Sequence, residues 1–186
     1  MSYVSRYELR LAYEDCIRRK HNTDNAVNFE IDDNEKIESL YYELNTMTYT
    51  IGKSIVFTLL DIKGHAYREV FAAEFKDRIV HHLLVNRLID YMNKYDLIDD
   101  NYACRKEKGT LYGAKRCQYK LIQCSNNGKE KNTTIIKGDF KNFFNSLNKE
   151  MIYNKLEKFI IQYMSDDRNM IFNLYLCKLI VMIIIV

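Results

Sequence analysis

Apolar positions along the chain recur first with a helical period. In "YVSRYELRLAYEDCIRRK", residues 3–20, they fall on one stripe with charges between them, which predicts an amphipathic helix. "HNTDNAVNFE" breaks that period and reads as a polar connector. Asp32 followed by Glu35 has the spacing of a capping box and predicts a second helix over "NEKIESLYYELNT". The pattern then turns strand-like. Ser54–Leu60 and Tyr67–Ala72 are two β-rich runs joined by a turn at Asp61–His65. From Glu74 to about Lys94 the helical period returns, with Phe75, Ile79, Val80, Leu83, Leu84, Leu88 and Tyr91 on one face. The loop "YDLIDDNYACRKEKGT" leads to a helix over Leu111–Cys124. The polar turn "SNNGKEKN" then precedes a strand ending at Asp139, and two helices follow, about Lys149–Met164 and Asp166–Val186. The fold class expected from this order is α+β, with helices packed on short antiparallel strands.

Composition narrows the picture. A chain of 186 residues, 47% hydrophobic, can bury one good core or one and part of a second, and its 28% charged fraction is that of an ordered protein. With no Pro and six Gly, tight turns must use Asn, Asp and Lys. Net charge is only +3 but unevenly spread. Residues 1–50 carry six Lys/Arg against ten Asp/Glu, whereas residues 101–141 carry ten against three. That basic middle suggests a surface for polyanions, although a merely solvated face has the same composition. The five cysteines (16, 104, 117, 124 and 177) include no C-x-x-C pair, which argues against a disulfide framework or zinc site and fits a reducing cytoplasm. No signal-peptide pattern opens the chain. The final "LIVMIIIV" is far shorter than the roughly 20 residues a bilayer span needs, so no membrane partner is expected. Its abrupt apolar end suggests a truncated chain.

One stretch stands out chemically. "IIKGDFKNFFNSL" delivers Asp139 at the end of an apolar run and then adjacent phenylalanines. A carboxylate held on a rigid strand end suits a divalent cation that takes hard oxygen ligands. It equally suits a cap of the next turn.

Three segments in order, "LLDIKGHAYREVFAAEFKDRIVHHLL", "DNYACRKEKGT" and "IIKGDFKNFFNSL", resemble the N-terminal half of a bacterial reverse transcriptase of the retron, diversity-generating or group II intron kind. The resemblance covers about Tyr49 to Met164. It implies a right-hand polymerase with fingers and partial palm, divided as an N-terminal helical extension over residues 1–48, fingers over 49–131 and partial palm over 132–186. It implies that Asp139 is the first catalytic aspartate, a ligand of two Mg²⁺ ions, with the Phe140 backbone carbonyl on one of them. Phe144 matches the aromatic gate under the sugar of the incoming deoxynucleoside triphosphate, and Phe143 would point to the core. Lys63 and Arg68 match the fingers residues that hold the triphosphate, although "DIKGHAYRE" lacks the Pro that the family usually carries near this Lys. Arg78, with Asp77, would sit where the helix meets the template or packs on the palm. Arg105, Lys108, Lys115, Arg116 and Lys120 would face the backbone of an RNA template with its DNA or RNA primer. Glu107 stands where the family commonly has Gly. His81 and His82 are consecutive, about 100° apart on a helix, and cannot easily share a metal.

The family's second aspartate pair lies in a Tyr-x-Asp-Asp hairpin. "QYMSDDRNM" imitates it but has one residue too many between Tyr163 and Asp166, and it joins two helical runs. Ser165 or Asp166 as a helix N-cap accounts for it better. The expected activity is therefore that of an RNA-directed DNA polymerase whose 186 residues alone would be inactive. The alternatives are a non-catalytic reverse-transcriptase-like RNA-binding module and a related abortive-infection protein of phage defence.

Overall fold

The computed structural model describes residues 2–18, 23–60, 67–130, 132–140, 143, 146–165 and 169–184, the side chains of Arg68 and Ile184 excepted. Among these it is mixed α+β, with seven helices and one two-stranded antiparallel sheet. The helices are α1 (Arg6–Ile17), α2 (Asp24–Glu30), α3 (Asp33–Asn45), α4 (Phe75–Tyr95), α5 (Thr110–Cys124), α6 (Lys149–Tyr163) and α7 (Met170–Ile184). The strands are β1 (Ile55–Leu60) and β2 (Tyr67–Ala72). The chain divides into two compact units, Met1–Ile89 with Phe143–Val186, and Asp90–Asn142.

The first unit is built on local signals that agree with its packing. Ser5 caps α1 in a full capping box: its hydroxyl accepts the Glu8 N–H, and the Glu8 carboxylate accepts the Ser5 N–H at 2.9 Å. The stripe of α1 buries Leu9, Ala12, Tyr13, Cys16 and Ile17. α3 lies against it through Arg6–Glu38 at 2.6 Å and Arg10–Asp33 at 2.8 Å, while Asn45 at its end accepts the Tyr3 and Val4 N–H groups. Tyr13, Phe29 and Phe75 form one aromatic cluster. On α4, Phe75, Ile79, Val80, Leu83, Leu84 and Leu88 are buried as their spacing predicts, while Tyr91 is half-buried, and α6 packs on α7, with Ile160, Phe172 and Leu176 buried. Each such side chain contributes about 1.5–3 kcal/mol when fully buried.

Three expectations are corrected here. "HNTDNAVNFE" is not a simple connector, because Asp24–Glu30 forms α2. Its helical signature is a single i, i+3 pair, Ala26 and Phe29, and their burial supplies what the short polar sequence lacks. Asp32 does stand at the N-cap of α3 but forms no side-chain capping bond; its carboxylate lies 3.9 Å from Lys36. α7 begins at Met170, so Ser165 is not its cap, and Asp166 lies outside the described residues.

Arg87 sits in the first unit and donates to Glu8 Oε1 at 2.9 Å, Asn173 Oδ1 at 3.0 Å and the Tyr3 carbonyl at 2.8 Å. Its guanidinium also lies 5.2 Å from the Phe172 ring centroid. One cation thereby ties α1, α4 and α7 together, a network whose members are expensive to remove singly.

Candidate nucleic-acid interface

The hairpin forms where the strand pattern predicts. β1 and β2 pair in register from Ile55 opposite Ala72 to Leu60 opposite Tyr67, which puts Arg68 opposite Leu59. Every residue of β1 is exposed, so the ribbon is held by its ladder and its base rather than by a core. Lys63 and the turn at Asp61–His65 lie outside the described residues.

The base of the hairpin is anchored on α4. Asp77 is completely buried in the first turn of that helix. Its carboxylate accepts the Tyr49 hydroxyl and the Gly52 N–H, the latter at 3.1 Å. Burial and the neighbouring Asp77 carboxylate both push the Tyr49 phenol well above its ordinary pKa. Gly52 is required here because a Cβ would collide with the Glu74 carboxylate and come 2.8 Å from Glu74 Cβ. Arg78, next to Asp77, donates from Nε to the Ala73 carbonyl at 2.8 Å and so fastens the β2–α4 junction. The resemblance singles out Arg78 together with Asp77; the bonds of Asp77 to Tyr49 and Gly52 had no signal in the sequence.

The segment carrying Asp139 belongs to the second unit. Its expected strand is a correction: residues 132–140 have no regular secondary structure. Ile135 and Ile136 are 67% and 91% exposed, and no partner strand is paired with them among the described residues. Without a neighbour to take its N–H and C=O groups, a run with only two consecutive apolar residues gains little by extending. The Asp139 side chain is exposed and accepts the N–H of Phe140 at 2.9 Å, a local turn-type bond. Phe140 is 80% exposed. Phe143 is also corrected: it is 46% exposed, not a core residue. Phe144 lies outside the described residues.

Asp139 and the Phe140 carbonyl are hard oxygen donors of the type Mg²⁺ takes. A two-ion centre needs several such donors converging. Among the described residues no three His, Cys, Asp or Glu side chains come together as metal ligands. The described residues therefore do not by themselves fit a pair of Mg²⁺ ions.

The basic residues of the second unit brace its own loop, and Arg116 ties that loop to α5. Arg105 Nη1 donates to the carbonyls of Ile98 and Asn101, both at 3.0 Å. Lys108 Nζ donates to the Asp99 carbonyl at 2.7 Å, and Arg116 Nε bonds Asp100 at 2.6 Å. That contact lowers the Asp100 pKa and raises that of Arg116. The Tyr102 ring lies flat enough on Gly113 that a Cβ there would come within 2.5 Å of it. Cys104 and Glu107 both adopt left-handed backbone conformations, φ 56° and 60°. Of the expected phosphate-facing cations, Lys115 and Lys120 are exposed and make no ion pair or hydrogen bond among the described residues.

No protein-family model matches this chain, and no curated protein matches it. Among the described residues no helix is long and apolar enough to cross a membrane.

Proposed function

We propose that the chain is the fingers and partial palm of a bacterial retroelement's RNA-directed DNA polymerase, binding an RNA template with its primer and deoxynucleoside triphosphates. The observation that carries the reading is the β1–β2 hairpin, which forms at the place in the chain where the resemblance requires a triphosphate-gripping ribbon, with Arg68 in its second strand. It is followed in order by the α4 helix, the basic 101–116 segment and Asp139. Arg68 and Lys63 would hold the triphosphate, the first through a planar fork and the second as a point charge. Phe144 would reject a 2′-hydroxyl by steric contact. Asp139 is the carboxylate that these residues contribute to the reacting centre. A Tyr-x-Asp-Asp sequence does not occur in the 186 residues, so these residues alone are expected to be inactive and the remaining carboxylates must be supplied by other sequence.

The test is primer extension on an RNA template by the full-length gene product that carries these residues. Template-copied DNA that disappears with Asp139→Asn supports the proposal. Extension that persists in the Asn variant overturns the role of Asp139.

A second reading is favoured by one observation: Asp139 is exposed in an irregular segment, and no metal-ligand cluster forms among the described residues. That is what a non-catalytic RNA-binding module would show. Salt-dependent RNA binding with no extension would select it.

A further inference from the structure

The α5 helix is exposed along almost its whole length, with Gly113 its one buried residue among those described. It carries Lys115, Arg116 and Lys120 and no carboxylate. Two tyrosines, Tyr112 and Tyr119, are seven residues apart and therefore on the same side, about 10 Å apart along the axis. Each ring already has a cation over it. Lys108 Nζ lies 5.1 Å from the Tyr112 centroid, and the Arg116 guanidinium 5.6 Å from that of Tyr119. Tyr119 is 50% exposed, and its hydroxyl accepts a bond from Gln123 at 2.7 Å that holds the ring along the helix.

We propose that Tyr112 and Tyr119 on α5, each with a cation, Lys108 or Arg116, over its ring, form a stacking platform for the bases of single-stranded RNA. An apolar partner surface would not call for three cations on the same helix, and a phosphate-only surface would not call for an exposed Tyr119 ring and a half-buried Tyr112 ring among them. Alternating rings and cations serve a ligand whose own chain alternates aromatic bases and phosphates. The ring separation is roughly three nucleotide rises of 3.4 Å, so one strand can reach both. The cations at Lys108 and Arg116 are held by backbone and carboxylate contacts, which fixes the platform before any ligand arrives. The inference rests on the reading of the chain as RNA-binding and adds to it which residues take the unpaired strand.

The experiment is fluorescence anisotropy of the full chain with a labelled single-stranded RNA of about 12 nucleotides, without nucleotides or magnesium. Tyr112→Leu and Tyr119→Leu should each weaken binding about 5- to 150-fold, the range found for losing one base–aromatic stack. Tyr→Phe at either site should retain nearly full affinity, and far-UV circular dichroism of the Leu variants should match the parent. Lys115→Gln should instead flatten the salt dependence at every sequence. Leu variants that bind like the parent, or equal binding to duplex RNA with no dependence on the rings, would overturn the platform. So would binding to vesicles of anionic phospholipid with none to the oligonucleotide. A single-stranded DNA arm separates RNA from nucleic acid in general: equal affinity overturns the RNA restriction. Failure of primer extension with ring-dependent RNA binding intact would remove the polymerase reading and leave this one standing.

Discussion

Tyr49 donates the hydrogen bond of its phenol to Asp77, 28 residues further along the chain, and both groups are buried. This contact and the Gly52 N–H bond fix the segment entering the hairpin to the first turn of α4. The ribbon bearing Arg68 is thus mounted on α4, whose Ile79, Val80, Leu83 and Leu84 are buried.

Tyr49→Phe should lower the free energy of unfolding by roughly 1.5–3 kcal/mol, because it removes a hydrogen bond to a carboxylate and leaves a buried acceptor short of a partner. Asp77→Ala should cost more, since it orphans the Tyr49 hydroxyl and the Gly52 N–H together. Urea denaturation measures both; a Tyr49→Phe change within about 0.5 kcal/mol of the parent would contradict the anchoring role.

Acid should weaken the first unit through Glu8. Burial alone pushes this carboxyl upward, but the Ser5 N–H, the Arg87 charge and the Ser5 hydroxyl outweigh it and leave the folded pKa below the ordinary value. A depressed carboxylate contributes stability that is present above its unfolded pKa and is lost as pH falls through its folded pKa. Unfolding midpoints followed from neutral pH down into the acid range should therefore fall more steeply in the parent than in Glu8→Gln. Equal slopes would contradict the contribution of Glu8.

Glu107 occupies a left-handed backbone conformation at φ 60° that a glycine adopts without strain. Glu107→Gly should raise stability by up to about 1 kcal/mol, the relief of roughly 1–2 kcal/mol being partly offset by the greater freedom of the unfolded chain. Thermal unfolding reads the change. A loss of stability would show that the Glu107 side chain contributes more than its backbone costs.

These features were unequally legible in the sequence. Helical stripes on α1 and α4 could be read directly, because burial there follows a local period, and the two hairpin strands could be read from their β-rich runs although every residue of β1 is exposed. The departure at Glu107, where a glycine is expected by resemblance, coincides with a backbone angle that favours glycine. What could not be read depends on distant partners. The seven residues of α2 are helical because Ala26 and Phe29 are buried, and no periodic run announces them. The segment before Asp139 looks like a strand by composition, yet strand formation needs a neighbour that no single stretch encodes. The charges of Arg105, Lys108 and Arg116 suggested phosphate contacts, while their bonds to residues 98–101 became visible only in three dimensions.

Sugar selection is predicted to reside in Phe144. In the full-length gene product, Phe144→Val should raise incorporation of ribonucleotides relative to deoxynucleotides by at least about tenfold, since removing the ring removes the clash with a 2′-hydroxyl. Single-nucleotide incorporation assays give the ratio. An unchanged ratio would contradict the gate.

The central claim is that Asp139 belongs to the reacting centre of an RNA-directed polymerase, and extension of a primer on an RNA template tests it most directly. The full-length gene product should synthesise template-copied DNA, and Asp139→Asn, which keeps the size of the side chain and removes its charge, should reduce the rate at least about a hundredfold while RNA binding is retained. Synthesis by the Asn variant at the parent rate would contradict the account.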